Sequence, residues 1–201
     1  MVAGARSGGA ASGETKVADQ ISVLGIAGSL RQGSFNRAAL RAALELAPAG
    51  MTIEIFDLAP IQPYNEDVKE QGFPPPEQEF RDKIRAADAL LIATPEYNRG
   101  VSGVLKNAID WASRPPDQPF NGKPTAIFGA SPGMIGTAVA QYDLRRYLAV
   151  LSAFVLTTPS VMIGQAGSKF DEQGRLTDQP TREIIGQMLV ALADWTRRHG
   201  R

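Results

Sequence analysis

From residue 20 onward the apolar positions switch repeatedly between two spacings. "ISVLGIA" (21–27) is almost wholly apolar, as in a strand covered on both faces. "SFNRAALRAALELA" (34–47) sets Arg37, Arg41 and Glu45 on one stripe and Leu40, Ala43 and Leu44 on another. That spacing predicts an amphipathic helix with Ser34 as its N-cap. "MTIEIFDL" (51–58) alternates like a strand with one more exposed side, and the Pro-rich stretch 59–76 predicts an irregular loop. Its Tyr64 and Phe73 are expected to shape one wall of a pocket.

The same alternation continues to the end. A helix over 76–87 leads into a buried strand over 88–95, "DALLIATP". Over 101–113, Val101, Val104, Leu105, Ala108, Ile109 and Ala112 share one helical face, and the prolines at 115 and 116 stop that helix. Trp111 beside this face suits a core or an interface equally. A strand over 123–131, a helix over 136–151, a strand over 153–163 and a helix over 178–198 complete the series. The last helix carries Ile184, Ile185, Met188, Leu189, Leu192 and Trp195.

Strand and helix in alternation call for an α/β three-layer sandwich: a five-stranded parallel sheet with helices on both faces. Right-handed crossovers then favour the flavodoxin-like strand order 2-1-3-4-5. Residues 20–201 read as a single domain without internal repeats, and the Gly-, Ala- and Ser-rich residues 1–19 as a disordered tail.

Composition removes several function classes. Lys plus Arg equals Asp plus Glu at 21 each, so no broad basic field for nucleic acid exists. The chain has no Cys and one His, His199 near its end, which argues against metal sites, thiol nucleophiles and a Ser-His-Asp triad. No apolar run reaches the roughly 20 residues that span a bilayer, so no membrane insertion is expected. The start lacks a secretory apolar core, and a cytoplasmic location fits.

In such sheets ligands bind at the carboxyl ends of the strands, where the strand order reverses. The loops that meet there are "GSLRQGSFN" (28–36), "TPEYNRG" (94–100) and "GASPGMIG" (129–136). In the first, Gly28 and Gly33 permit close backbone approach, and the following helix start favours an anion. Ser29, Ser34 and Asn36 add donors, and Arg31 can fork onto phosphate oxygens. An ordinary strand-helix turn capped by Ser34 and Asn36 accounts for the same residues. The spacing departs from both the dinucleotide and the P-loop fingerprints.

In the second loop Pro95 stiffens the exit, backbone of 95–98 can meet the polar edge of a planar ring, and Tyr97 can stack on it. A turn capped by Asn98 with a surface Tyr is the plain alternative. The third loop offers Ser131, Gly133 and Gly136, although Gly-rich strand exits are common. The convergence of all three is a stronger signal than any one.

Taken together, the loops resemble those of the NADPH-dependent FMN reductase family of flavodoxin-like proteins, and within it the quinone, chromate and azo-dye reductases. The resemblance spans about residues 20–197 and is most specific in "GSLRQGSFN" and "PEYNRGVSGVLKNAIDWAS". It implies that FMN phosphate sits on Ser29, Arg31, Ser34, Phe35 and Asn36. Pro95, Glu96, Tyr97 and Asn98 match the isoalloxazine loop, and Ser131, Pro132 and Gly133 the third contact loop. Arg99 stands where some related reductases have Tyr, and Pro132 where a smaller residue is usual. Arg99 either faces the phosphates of the incoming donor or pairs with a neighbouring subunit.

By the same resemblance NADPH or NADH would pass hydride to flavin N5, and a quinone, azo compound, chromate or free flavin would take the electrons in turn. No side chain need act as acid or base, so no catalytic residue is assigned. A homodimer or homotetramer is expected, and Ala138, Tyr142, Arg145 and Ala149 form a helix face suited to contact or to solvent. The rival reading is a flavodoxin-type electron carrier, but such carriers are usually acidic with an Arg-free phosphate loop. A non-flavin nucleotide binder is a second rival.

Overall fold

The computed structural model of the chain describes residues 20–199; the expected tail over 1–19 lies outside them. Strand β1 (Ile21–Ala27) feeds helix α1 (Phe35–Glu45), whose N-cap Ser34 accepts from the N–H groups of Asn36 and Arg37. Then come β2 (Met51–Phe56), a short α2 (Glu66–Glu70), α3 (Pro75–Ala86) and β3 (Ala89–Ala93). A two-stranded hairpin follows, β4 (Glu96–Tyr97) and β5 (Gly100–Val101), then α4 (Gly103–Ala112) and β6 (Pro124–Ala130). Helix α5 (Ala138–Val150), strands β7 (Phe154–Val155) and β8 (Val161–Ile163), and α6 (Gln179–His199) end the fold.

The main sheet is parallel, in the order β2-β1-β3-β6-β7 with β8 also on β6. This is the expected 2-1-3-4-5 arrangement, with its fifth strand in two pieces. Alternate residues of each strand enter two cores. Val23, Leu91 and Phe128 face α1 and α6, whereas Leu24, Leu90 and Ile127 face α3, α4 and α5. Leu40, Leu90 and Leu144 are fully buried, each contributing roughly 1.5–3 kcal/mol by removal from water.

Three local expectations change. Stretch 59–76 is not wholly irregular: Asn65 caps α2, and α3 begins at Pro75, where a missing N–H costs nothing. Strand 153–163 breaks in the middle, where Pro159 brings no N–H to the ladder. Arg145 Nη1 donates to Leu156 O at 2.7 Å and Gln141 Nε2 to Val161 O at 3.0 Å, so α5 side chains serve the carbonyls of the gap. Trp111 is core: it is fully buried, its Nε1–H donates to Gln62 O at 2.8 Å, and Tyr64 and Phe73 pack edge-on against it. The loop does wall a pocket, through Ile61 and Pro63, which line an apolar hollow with Leu30 and Val104, while its Tyr64 and Phe73 pack on Trp111.

Candidate functional site

In-register pairing carries β1, β3 and β6 to one edge, with Ala27 opposite Ala93 and Ala93 opposite Phe128. The ladder runs on into the loops: Gly28 N–H donates to Ala93 O and Thr94 N–H to Phe128 O, both at 2.9 Å. The three distinctive loops thus leave the sheet side by side. Between them lies an open cleft. It is lined by Ser29, Arg31, Ser34, Phe35 and Asn36 from the first loop, Pro95, Glu96 and Tyr97 from the second, and Ala130, Ser131 and Pro132 from the third.

Glycine is required where backbones meet most closely. A Cβ on Gly28 would stand 2.9 Å from Pro95 Cδ and 3.0 Å from Leu105 Cβ. On Gly129 it would stand 2.1 Å from Thr137 Oγ1 and 2.2 Å from Thr94 O. The first pair brings loop one against loop two, the second brings loop two against loop three.

The first loop holds the anion-binding chemistry. Ser29 lines the cleft, and its hydroxyl, which bonds no other described residue, is open to the cleft rather than an orphaned buried group. The N–H groups of Leu30 through Gly33 and of Phe35 at the start of α1 likewise bond no other described residue. Arg31 is exposed at the cleft and folds back toward Gly33, its Nη2 3.3 Å from where a Cβ there would lie. Free amides, a hydroxyl, a guanidinium and a helix start together form a cradle for a phosphate dianion.

Other expected ligands also do structural work. Asn36 is buried and its side-chain amide pairs both ways with Ala130: Nδ2 donates to Ala130 O at 2.9 Å and Ala130 N–H donates to Oδ1 at 2.8 Å. The Glu96 carboxylate accepts from Val139 N–H at 3.0 Å and Ala140 N–H at 3.1 Å, capping α5. Ser131 Oγ donates to Gly136 O at 2.6 Å, closing its own loop. Tyr97 is 55% exposed, free to cover one face of a flat ligand.

Asn98, Arg99 and Gly133 stand outside the cleft lining. Asn98 (φ 52°) and Arg99 (φ 62°) form the turn of the β4–β5 hairpin, and the two positive angles identify it as type I′. The Arg99 side chain is 71% exposed, with Nη1 3.8 Å from Glu96 Oε1. Gly133 lends its carbonyl to Gln165 N–H at 2.9 Å, anchoring the third loop from behind.

Sequence reasoning missed Ser102. It is buried, its Oγ donates to Gly28 O at 2.6 Å and accepts from Leu105 N–H at 3.3 Å, so one hydroxyl caps α4 and ties loop one to loop two. A Ser before an apolar helical run signals the cap, but nothing local signals the tie. Fit to FMN rests on the cradle and the open ring site beside it: donors converge at the α1 end, and Tyr97 stands across the opening. Among the described residues no group of His, Cys, Asp and Glu has the makings of a metal site.

Comparison with known proteins identifies the family. The family model for NADPH-dependent FMN reductases matches residues 21–168. An NAD(P)H-dependent FMN reductase of Pseudomonas aeruginosa is 60% identical over 182 residues, which is 90% of this chain and 98% of that protein. A quinone reductase of Escherichia coli K12 is 42% identical over 185 residues, 90% of this chain and 98% of that one. Among solved structures, the flavoenzyme NAD(P)H:(acceptor) oxidoreductase of Paracoccus denitrificans superposes with a TM-score of 0.82 at 34% identity, covering 90% of this chain and all of its own. Fold, cleft and sequence thus point one way, and the chain belongs to the NADPH-dependent FMN reductase family.

Proposed function

We propose that this oxidoreductase holds FMN in the three-loop cleft and uses NAD(P)H to reduce quinones and similarly electrophilic small molecules. The observation that carries the reading is the cradle at the start of α1, where Ser29 and the loop amides lack partners beside Arg31. FMN, when held there, would supply the two-electron redox chemistry that links the nicotinamide donor to the acceptor. The protein's part is to bind and orient. Ser29, Arg31, Ser34 and the Phe35 amide hold the phosphate; Pro95 and Tyr97 border the ring; Ser131 and Pro132 form the facing wall. Asn36 and Glu96 hold those walls in place. No side chain is assigned a proton-transfer role, because the Glu96 carboxylate is engaged by α5.

In this reading the exposed Arg99 serves either the phosphates of the donor or a contact with a neighbouring subunit. The acceptors in this reading are quinones first, with azo compounds, chromate and free flavin as further acceptors. The outer face of α5, with Tyr142 66% and Val150 82% exposed, is the proposed contact in a homodimer or homotetramer. Residues 20–199 act as one domain in this reading. No described helix is long and apolar enough to cross a membrane, in keeping with action on a diffusing acceptor.

A visible spectrum of the FMN-reconstituted protein before and after anaerobic NADPH tests the reading. Flavin bands that bleach and then recover on adding benzoquinone support it. Bands that persist after NADPH favour an electron carrier. Absence of bound flavin removes the assignment of the cleft.

A further inference from the structure

Glu96 occupies a position matched to flavin contact, yet both bonds made by its carboxylate go to another helix. Oε2 accepts from the Val139 and Ala140 amides, in the first turn of α5, and the side chain is only 10% exposed. The residue that should cap this helix, Thr137, makes no cap bond; its Oγ1 accepts from Gln141 Nε2 at 3.1 Å and lies against Gly129. The cap for α5 therefore comes from the second ligand loop, 43 residues earlier in the chain. A carboxylate there also meets the positive end of the helix dipole.

The far end of the third loop is held differently, by the pairing of Asn36 with Ala130. Ser131 and Pro132, which line the cleft, lie between these two anchors, and the loop is held from behind as well, by Ser131 N–H on Ile163 O, Ala166 N–H on Ser131 O and Gln165 N–H on Gly133 O. One anchor reaches back to loop one and the other to loop two.

We propose that Glu96 is a positioning residue, locking the second loop to the third so that flavin binding and the order of the first turn of α5 are coupled. This rests on the reading that the cleft holds FMN. Coupling of this kind is reciprocal: whatever tightens one site tightens the other. FMN bound in the cleft then protects the amides of Val139 and Ala140, although neither residue lines it.

The test combines FMN titration by fluorescence quenching with amide hydrogen exchange at Val139 and Ala140, for wild type, Glu96→Ala and Glu96→Gln. In wild type, FMN slows exchange at both amides. Glu96→Ala weakens FMN binding roughly tenfold to a hundredfold, the loss expected for a charge-assisted bond pair, and abolishes that slowing. Glu96→Gln restores most of both, because the amide oxygen still accepts two bonds. Unchanged FMN affinity in Glu96→Ala overturns the proposal. So does a Gln variant that restores protection but not affinity, since that result means the charge acts on the flavin directly. If Glu96→Ala does not fold, the Gln variant and the wild-type exchange still decide the matter. Wild type that binds no FMN overturns the cofactor reading itself, and does so before any variant is made.

Discussion

Asn36 and Ala130 exchange two hydrogen bonds across a separation of 94 residues, side-chain amide against backbone amide, in a buried setting. This one contact fixes the start of α1 against the end of β6, and so sets the distance between the phosphate cradle and the facing wall of the cleft.

Replacing Asn36 by Asp keeps the shape and removes the donor. A carboxylate would then lie against the Ala130 carbonyl with no water to separate them. A cost of about 2–4 kcal/mol in unfolding free energy is expected, measured by urea denaturation of the FMN-free protein. FMN affinity should fall with it. Stability that stays within ~0.5 kcal/mol of wild type would show that the pairing is not structural.

Arg31 is expected to behave in the opposite way. Its guanidinium makes no hydrogen bond or ion pair among the described residues, so Arg31→Ala should leave stability within ~0.5 kcal/mol of wild type. Binding of FMN should weaken by about tenfold, whereas riboflavin, which lacks the phosphate, should bind both proteins equally. Equal losses for the two flavins would move Arg31 away from the phosphate.

These two residues show how far the sequence could be read. The five strands, their order and the meeting of three loops follow from periodicity and connection rules, because each rests on local spacing. Arg31 and Ser29 were also legible, as donors in a Gly-rich turn before a helix. The carboxamide of Asn36 was read as a ligand or a cap, and the carboxylate of Glu96 as a ligand, since their partners lie 94 and 43 residues away. The break in the fifth strand was hidden for a related reason: its carbonyls are served by Gln141 and Arg145, a choice made by packing. Trp111 lay beside its helix's apolar stripe and became core only because Tyr64 and Phe73 fold over it.

Gly129→Ala tests a close backbone approach near the site. Its Cβ would overlap Thr137 Oγ1 and Thr94 O, and the second of these is backbone and cannot rotate away. Destabilisation of about 2–4 kcal/mol is expected, seen as a lowered Tm of the purified protein or loss of soluble expression. A Tm equal to wild type would mean the loops separate without cost.

The acid side of the stability profile should carry a mark of Asp178. Its carboxyl is held below the usual carboxylate range, chiefly by the Thr181 hydroxyl, with the Thr181 N–H and Lys169 adding to the effect. The folded value lies below the unfolded one, so the unfolded chain takes up the proton first. The contribution is full above the unfolded value near ~3.9 and is lost as pH falls through the folded one. The Tm gap between wild type and Asp178→Ala should therefore be constant near neutrality and close in acid. A gap that widens in acid would reverse the sign.

Arg99 brings stability and function into opposition. In a type I′ turn both central residues take positive φ, and Asn-Gly is the favoured pair. Asn98 satisfies the first position; Arg99, at φ 62°, occupies the one where Gly is preferred. An L-residue with a full side chain costs about 1 kcal/mol there. The exposed pairing with Glu96, at 3.8 Å, offsets little of that. Arg99→Gly should therefore raise stability by roughly 0.5–1 kcal/mol in urea denaturation. If the strained arginine is kept to receive donor phosphates, the same variant should raise the KM for NADPH several-fold while kcat with a saturating donor changes little. A more stable variant with unchanged KM would assign Arg99 to a neighbouring-subunit contact instead, and its oligomer should then dissociate on dilution more readily than wild type.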